Sequence, residues 1–98
     1  MNNSLTVIAH IRAKPGQESR VRQLLEGLLA PTRVEAGCMN YDLHQSQTDP
    51  ALFVFYENWQ SEAHLDAHAR SAHIQSFRKL AEEALAEPVR ITKWQIVD

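Results

Sequence analysis

Apolar and polar positions alternate along Leu5–Lys14: Leu5, Val7, Ala9 and Ile11 fall on one side, and Thr6, Ile8, His10 and Arg12 on the other. A period of two is the signature of a strand with one face buried. Pro15-Gly16 then breaks the chain. Val21, Leu24, Leu25 and Leu28 recur at helical spacing, so 17–30 reads as an amphipathic helix that Pro31 kinks or interrupts, with Gly37 as its C-terminal stop. Alternation returns in Met39–Gln45, where Met39, Tyr41 and Leu43 oppose Asn40, Asp42 and His44. Thr48-Asp49-Pro50 is a turn, and Leu52–Trp59 is the most β-prone run in the chain. Ser61 is an N-cap for a short helix over Glu62–Arg70. Ser71 caps a second helix, with Ile74, Phe77, Ala81, Ala84 and Leu85 on one side and Pro88 as its end. On its outer surface Arg78–Glu82 and Lys79–Glu83 are spaced as ion pairs. Val89–Val97 closes the chain as a last strand with Ile91, Trp94 and Ile96.

Strand, helix, two strands, helix pair, strand is the order of the split βαβ, or ferredoxin-like, α+β fold, with helices on one face of an antiparallel sheet. Both faces of that sheet carry large apolar groups. Val7, Ile11, Leu43, Phe53 and Phe55 meet the helices, while Ile8, Val54, Tyr56, Trp94 and Ile96 point away. An exposed patch of that size is rare on a monomer, so the pattern predicts a homodimer built sheet to sheet, a dimeric barrel-like assembly.

Ninety-eight residues leave room for one domain with a thin core. A net charge of −2, without a block of either sign, supplies no basic stripe for nucleic acid. No apolar run is long enough for a membrane span, and Met1–Ser4 has no leader-like pattern. The single cysteine, Cys38, excludes an intrachain disulfide and fits a reducing cytoplasm.

Five histidines are the first candidates for chemistry, three of them in ten positions: His64, His68 and His73. His64 and His68 have the four-residue spacing of a metal site, but Leu-Asp-Ala between them lacks the Glu of zinc hydrolases and no third ligand stands out, so no metal is expected. His68 shares a helix side with Leu65 and points inward, as an acid/base group, a phenol-binding group or a satisfied core histidine. Phe55, Glu57 and Trp59 share a strand face toward the helices. A carboxylate between two rings is costly unless paired or wet, so Glu57 either bonds a histidine or the backbone, or marks a polar-lined cavity. Trp59 either roofs a pocket for a flat ligand, its N–H donating, or packs the core. Cys38 has no basic neighbour to activate it. Gly-rich phosphate loops and flavin or nicotinamide fingerprints are absent from the sequence.

LTVIAHIRAKPGQ, EAGCMNYDLHQS and FVFYENWQSEAHLDAHARSAHIQSF together resemble the antibiotic biosynthesis monooxygenase (ABM) family, most of all its small bacterial quinol monooxygenases. The likeness covers residues 5–96 as one ABM domain, and its most specific element is Glu57-x-Trp59 followed by Ser61, His68 and His73. The resemblance implies a dimeric ferredoxin-like fold and oxidation of a small quinol or phenol by O₂ without cofactor or metal. It implies His68, Trp59 and His73 as catalytic groups, with Phe55, Glu57, Tyr56 and Asn58 binding a small aromatic substrate, although strand alternation puts Tyr56 and Asn58 on the other face. Haem-degrading relatives need an Asn, a Trp and a His where this chain has Ala9, His68 and Arg78, which disfavours haem. Aromatic-polyketide oxygenases carry an Asn where Phe55 stands. The family also holds a cofactor-free isomerase of a phosphorylated autoinducer sugar, which shares the histidine pair; Arg70, Arg78 or Arg12 would have to hold its phosphate. A non-catalytic dimeric module that binds a small aromatic molecule is the remaining alternative.

Overall fold

The structure, a computed structural model, describes residues 4–98. Strand β1 (Leu5–Arg12) leads to helices α1 (Glu18–Glu26) and α2 (Leu29–Arg33). Strands β2 (Cys38–Gln45) and β3 (Leu52–Trp59) follow, then helices α3 (Glu62–Ala69) and α4 (Ala72–Ala81), and last β4 (Arg90–Trp94). The sheet order is β2-β3-β1-β4 with every pairing antiparallel. This is the α+β ferredoxin-like arrangement expected from the element order.

The alternation of β1 is realised as buried Val7, Ala9 and Ile11 against half-exposed Thr6, Ile8, His10 and Arg12. In β3 the same parity buries Phe53, Phe55, Glu57 and Trp59. Phe53, Phe55, Trp59 and Tyr41 of β2 are almost fully excluded from water. At about 1.5–3 kcal/mol per large buried side chain, these rings supply much of the drive for closing the helices onto the sheet. Val21 and Leu25 of α1 and Ile74, Phe77 and Ala81 of α4 complete the core from the other layer.

Helix boundaries depart from the periodicity in two places. The first helix stops at Glu26, and Pro31 sits inside α2, in the first turn, where a missing N–H costs no helical bond. Helix α4 ends at Ala81, seven residues short of Pro88. Leu85, expected on the helix, instead makes an isolated antiparallel bridge with Ala13; Lys14 N donates to Ala84 O at 2.9 Å and Ala86 N to Arg12 O at 2.8 Å. Neither Arg78–Glu82 nor Lys79–Glu83 closes as an ion pair; Arg22–Glu26 on α1 is the four-apart pair seen among the described residues. The last strand is also shorter than the apolar pattern suggested, and Ile96 lies beyond it, exposed.

Both serine caps form. Ser61 Oγ accepts from His64 N, and Ser71 Oγ accepts from Ile74 N. Such caps contribute about 1 kcal/mol each, and here they fix where α3 and α4 begin, and so where His68 and His73 point.

Candidate active site

Between the sheet and α3, α4 and the 82–91 segment lies a cavity of about 840 Å³. Its walls are largely apolar, with Val7, Phe55, Leu28, Leu65 and Phe77 among them, and its polar wall comprises Tyr41, Glu57 and His68. Lys14, Asp66, Arg78, Glu82 and Glu87 also line it and are solvent-exposed, which marks them as the mouth. This is the build of a small-molecule site: mostly hydrophobic, within the usual 300–1,000 Å³, with few and convergent polar groups.

His68 comes from the inner side of α3 and is 6% exposed. Its Nδ1 lies 2.7 Å from Glu35 Oε2, and the same oxygen lies 2.8 Å from His73 Nε2 on α4. Glu35 stands in the link between α2 and β2. That link is folded by Glu35 N donating to Thr32 O and Cys38 N donating to Glu35 O, and Gly37 turns the chain at φ +81°. The ring of His68 is wedged between Tyr41, edge-on at 5.4 Å, and Trp59, at 4.8 Å. Tyr41 itself stacks on Phe55 at 4.2 Å.

These contacts set the protonation. Burial pushes His68 below its ordinary value, and the Glu35 carboxylate pulls the other way. Neutral His68 donating Nδ1–H to Glu35 leaves Nε2 as a lone-pair acceptor with no protein partner among the described residues, on a ring that lines the cavity. Glu57 is pushed up to about 7, chiefly by burial, while the Trp59 N–H bond to its Oε1 at 2.8 Å opposes the rise. Burial pushes the Tyr41 phenol up, so it stays a neutral donor. Burial also raises the Cys38 thiol, in keeping with an inert residue.

Of the residues picked from the sequence, Phe55, Glu57 and His68 reach the cavity. Trp59 and His73 do not line it; they stand behind His68 and Glu35. Of the two readings of Trp59, roof or core, the structure shows the core: the ring is fully buried and its N–H is spent on Glu57. Tyr56 and Asn58 lie on the opposite sheet face because alternation along β3 allows nothing else. There Asn58 is tied to Thr6 and Asn40, and Tyr56 is 44% exposed, so in a single chain neither can bind a ligand in this cavity.

Glu35 and Tyr41 were missed. Tyr41 was assigned to the inner face of β2 and could have been chosen by the rule that selected Phe55. Glu35 carries no local signal, since its link to the two histidines spans 33 and 38 residues.

Glu35, His68 and His73 are also the one group among the described residues whose donor atoms could hold a metal, lying within 4.8 Å of one another. Tetrahedral ligands about 2.1 Å from a metal stand roughly 3.4 Å apart. The 2.7 and 2.8 Å contacts here are instead hydrogen-bond lengths.

Of the arginines considered for a phosphate, Arg78 lines the mouth, whereas Arg12 pairs with Asp49 at 3.0 Å and Arg70 is not part of the cavity wall. No helix among the described residues is long and apolar enough to cross a membrane.

Comparison with known proteins agrees with the fold. A Pseudomonas aeruginosa protein of known structure, PA3566, superposes with a TM-score of 0.94 at 38% identity, covering 100% of this chain and 98% of its own. "Putative monooxygenase Rv0793" of Mycobacterium tuberculosis is 37% identical over 92 residues, which is 94% of this chain and 90% of that protein. "Probable quinol monooxygenase YgiN" of Escherichia coli is 35% identical over 83 residues, 74% of this chain and 80% of that protein. The profile of the antibiotic biosynthesis monooxygenase family matches residues 4–80, spanning the polar wall, Glu35 and both histidines. By fold and by sequence, the chain belongs to the antibiotic biosynthesis monooxygenase family.

Proposed function

We propose that this protein is a cofactor-independent monooxygenase that oxidises a small quinol or phenol with O₂. The observation that carries the reading is the lone Nε2 of His68: a neutral imidazole, oriented by Glu35, at the polar wall of an aromatic-lined cavity. Family membership supports the monooxygenase class, and the quinol comes from the name of the Escherichia coli relative.

The chemistry follows from what such a site does to a phenol. Phe55 and Tyr41 wall the ring, and His68 Nε2 takes the phenolic proton. The phenolate is reducing enough to pass one electron to O₂, and the aryloxyl radical and superoxide recombine as a peroxide at a ring C–H carbon. Loss of water from that peroxide leaves a quinone, one oxygen atom in product and one in water. Tyr41 O–H, and Glu57 while protonated, are the hydrogen-bond donors for the developing oxyanion. Trp59 holds Glu57 and backs the His68 ring, and His73 acts through Glu35.

The acidic groups argue against the isomerase reading. Asp66, Glu82 and Glu87 outnumber Lys14 and Arg78 at the mouth, an unfavourable field for a phosphorylated ketone.

The working unit is proposed as a homodimer in the cytoplasm. The helix-free sheet face exposes Tyr56 at 44% and Trp94 at 54%, with Ile8 and Val54 beside them, which a second copy of the sheet would cover.

The test is O₂ uptake with reduced naphthoquinone in chelator, against autoxidation and a His68→Ala control. A saturable, His68-dependent rate above autoxidation is expected; a rate equal to autoxidation overturns the quinol assignment.

A further inference from the structure

We propose that His68, Glu35 and His73 form a proton relay that joins the polar wall of the cavity to solvent. The inference rests on the reading of His68 as the cavity's base, and it answers a question that reading leaves open. A base without an outlet for its proton is poised for one transfer only.

The geometry supplies the outlet. Glu35 Oε2 bonds both rings, at 2.7 Å to His68 Nδ1 and 2.8 Å to His73 Nε2. Side-chain exposure rises along that line, from 7% at His68 through 16% at Glu35 to 23% at His73. The path therefore runs from the buried interior outward in two short hydrogen bonds. A carboxylate that served only to orient His68 would need no second imidazole on the same oxygen.

Each transfer balances. The substrate O–H breaks as an N–H forms on His68 Nε2, and the proton on Nδ1 passes to Glu35 Oε2. His73, whose Nε2–H donates to Glu35 at rest, shifts to its Nδ1–H tautomer by exchange with water; Glu35 then hands the proton to the freed Nε2, and His73 releases its Nδ1 proton to water. The net change is one proton moved from substrate to solvent, with His73 back in its Nε2–H tautomer and His68 left as its own Nε2–H tautomer. Run in reverse, the same path lets His68 Nε2–H supply the proton needed when the peroxide loses water, and Glu35 restores the Nδ1–H of His68. Ser71 Oγ, 3.3 Å from His73 Nε2, holds the outer ring in place.

The groups facing the relay from the surrounding elements are Tyr41 on β2, Glu57 on β3, Arg78 on α4 and the Cys38 thiol; Glu35 influences Tyr41, Glu57 and Cys38, and Arg78 acts on His68. All of them remain in the test variants.

The experiment needs no substrate. In full-length protein carrying ¹⁵N-histidine, NMR reads the tautomer of His68 and the rate at which its Nδ1–H exchanges with water. The expected wild-type result is the Nδ1–H tautomer, the minority form of a free imidazole, with exchange faster than its burial allows. His73→Gln keeps a donor to Glu35 but cannot carry a proton; it should slow exchange at least tenfold, with added imidazole restoring much of the rate. Glu35→Gln should slow exchange similarly, and Glu35→Asp should recover part of it. An Nε2–H tautomer at His68, or exchange unchanged in both Gln variants, overturns the relay. Because none of these readings uses O₂ uptake, failure of the quinol assay and failure of the relay are separately visible.

Discussion

Trp59 donates its indole N–H to Glu57 Oε1 at 2.8 Å, from a ring wholly buried to a carboxyl 3% exposed, two residues apart on the same strand face. One bond satisfies the indole, but it does not make the interior a good place for a charge. Glu57 titrates at about 7 in the fold against 4.5 for the free group. A raised carboxyl favours folding while it is neutral in both states, and the advantage is lost as pH rises from the unfolded value through the folded one. The span corresponds to about 3 kcal/mol. Glu57→Gln, which still accepts from Trp59, should therefore gain on the wild type by roughly 2–3 kcal/mol between pH 4.5 and pH 8. Urea unfolding at the two pH values measures it. An equal stability difference at both would show that Glu57 titrates in the fold as it does in the unfolded chain.

The Glu57 shift, together with that of His68, also shapes activity. His68 must be neutral to accept a proton, and burial holds it below its ordinary 6.5, so the acid limb of the rate profile lies below that value. Glu57 must be protonated to donate to an oxyanion, which puts an alkaline limb at about 7. A bell is expected in kcat/KM for reduced naphthoquinone, corrected for autoxidation at each pH. Glu57→Gln should remove the alkaline limb and leave the acid one. His68→Ala should lower turnover at least tenfold, in line with the usual 10²–10⁴-fold worth of acid–base catalysis. A profile with the same two limbs in Glu57→Gln would assign the alkaline group elsewhere.

What the sequence disclosed and withheld follows from range. Period-two patterns are local, so β1 and β3 were legible to the residue or nearly so, as was the inward face carrying Phe55, Glu57 and Trp59. Ser61 and Ser71 act within three residues, and both caps were readable. The end of α4 was not, because Leu85 leaves the helix to bridge Ala13, a partner 72 positions away in the chain. The site divides the same way. His68 could be called inward from its neighbour Leu65, but the oxygen that orients it belongs to a loop glutamate that no spacing rule connects to it. Tyr56 and Asn58 show the reverse case, where strand parity outweighed family likeness.

The helix-free face gives a third prediction. Trp94 and Tyr56 are half-exposed on β4 and β3 and take no part in the core cluster. Trp94→Glu with Tyr56→Lys should leave the monomer fold intact and weaken self-association at least a hundredfold, read by sedimentation equilibrium at micromolar concentration. A wild-type chain that is already monomeric there would remove the sheet-to-sheet dimer.

Two glycines with nearly the same backbone offer a controlled comparison. Gly16 and Gly37 have φ of +86° and +81°, in the left-handed region where a side chain is strained. A Cβ on Gly16 would meet nothing within 4 Å, whereas one on Gly37 would sit 2.2 Å from His64 Cγ. His64 has little freedom to move, since its Nδ1 is 2.8 Å from Ser61 Oγ and its N–H is the donor that Ser61 caps. Gly16→Ala should cost only the backbone term, about 1 kcal/mol. Gly37→Ala should cost at least twice that, because relieving the clash displaces His64, loosens the α3 cap and shifts the turn that presents Glu35. The two variants should also differ in kind. Gly16→Ala should leave O₂ uptake untouched, while Gly37→Ala should lower it even at temperatures where the protein is fully folded. Equal losses of stability with equal activity would mean that the Gly37 turn does not govern the placement of Glu35.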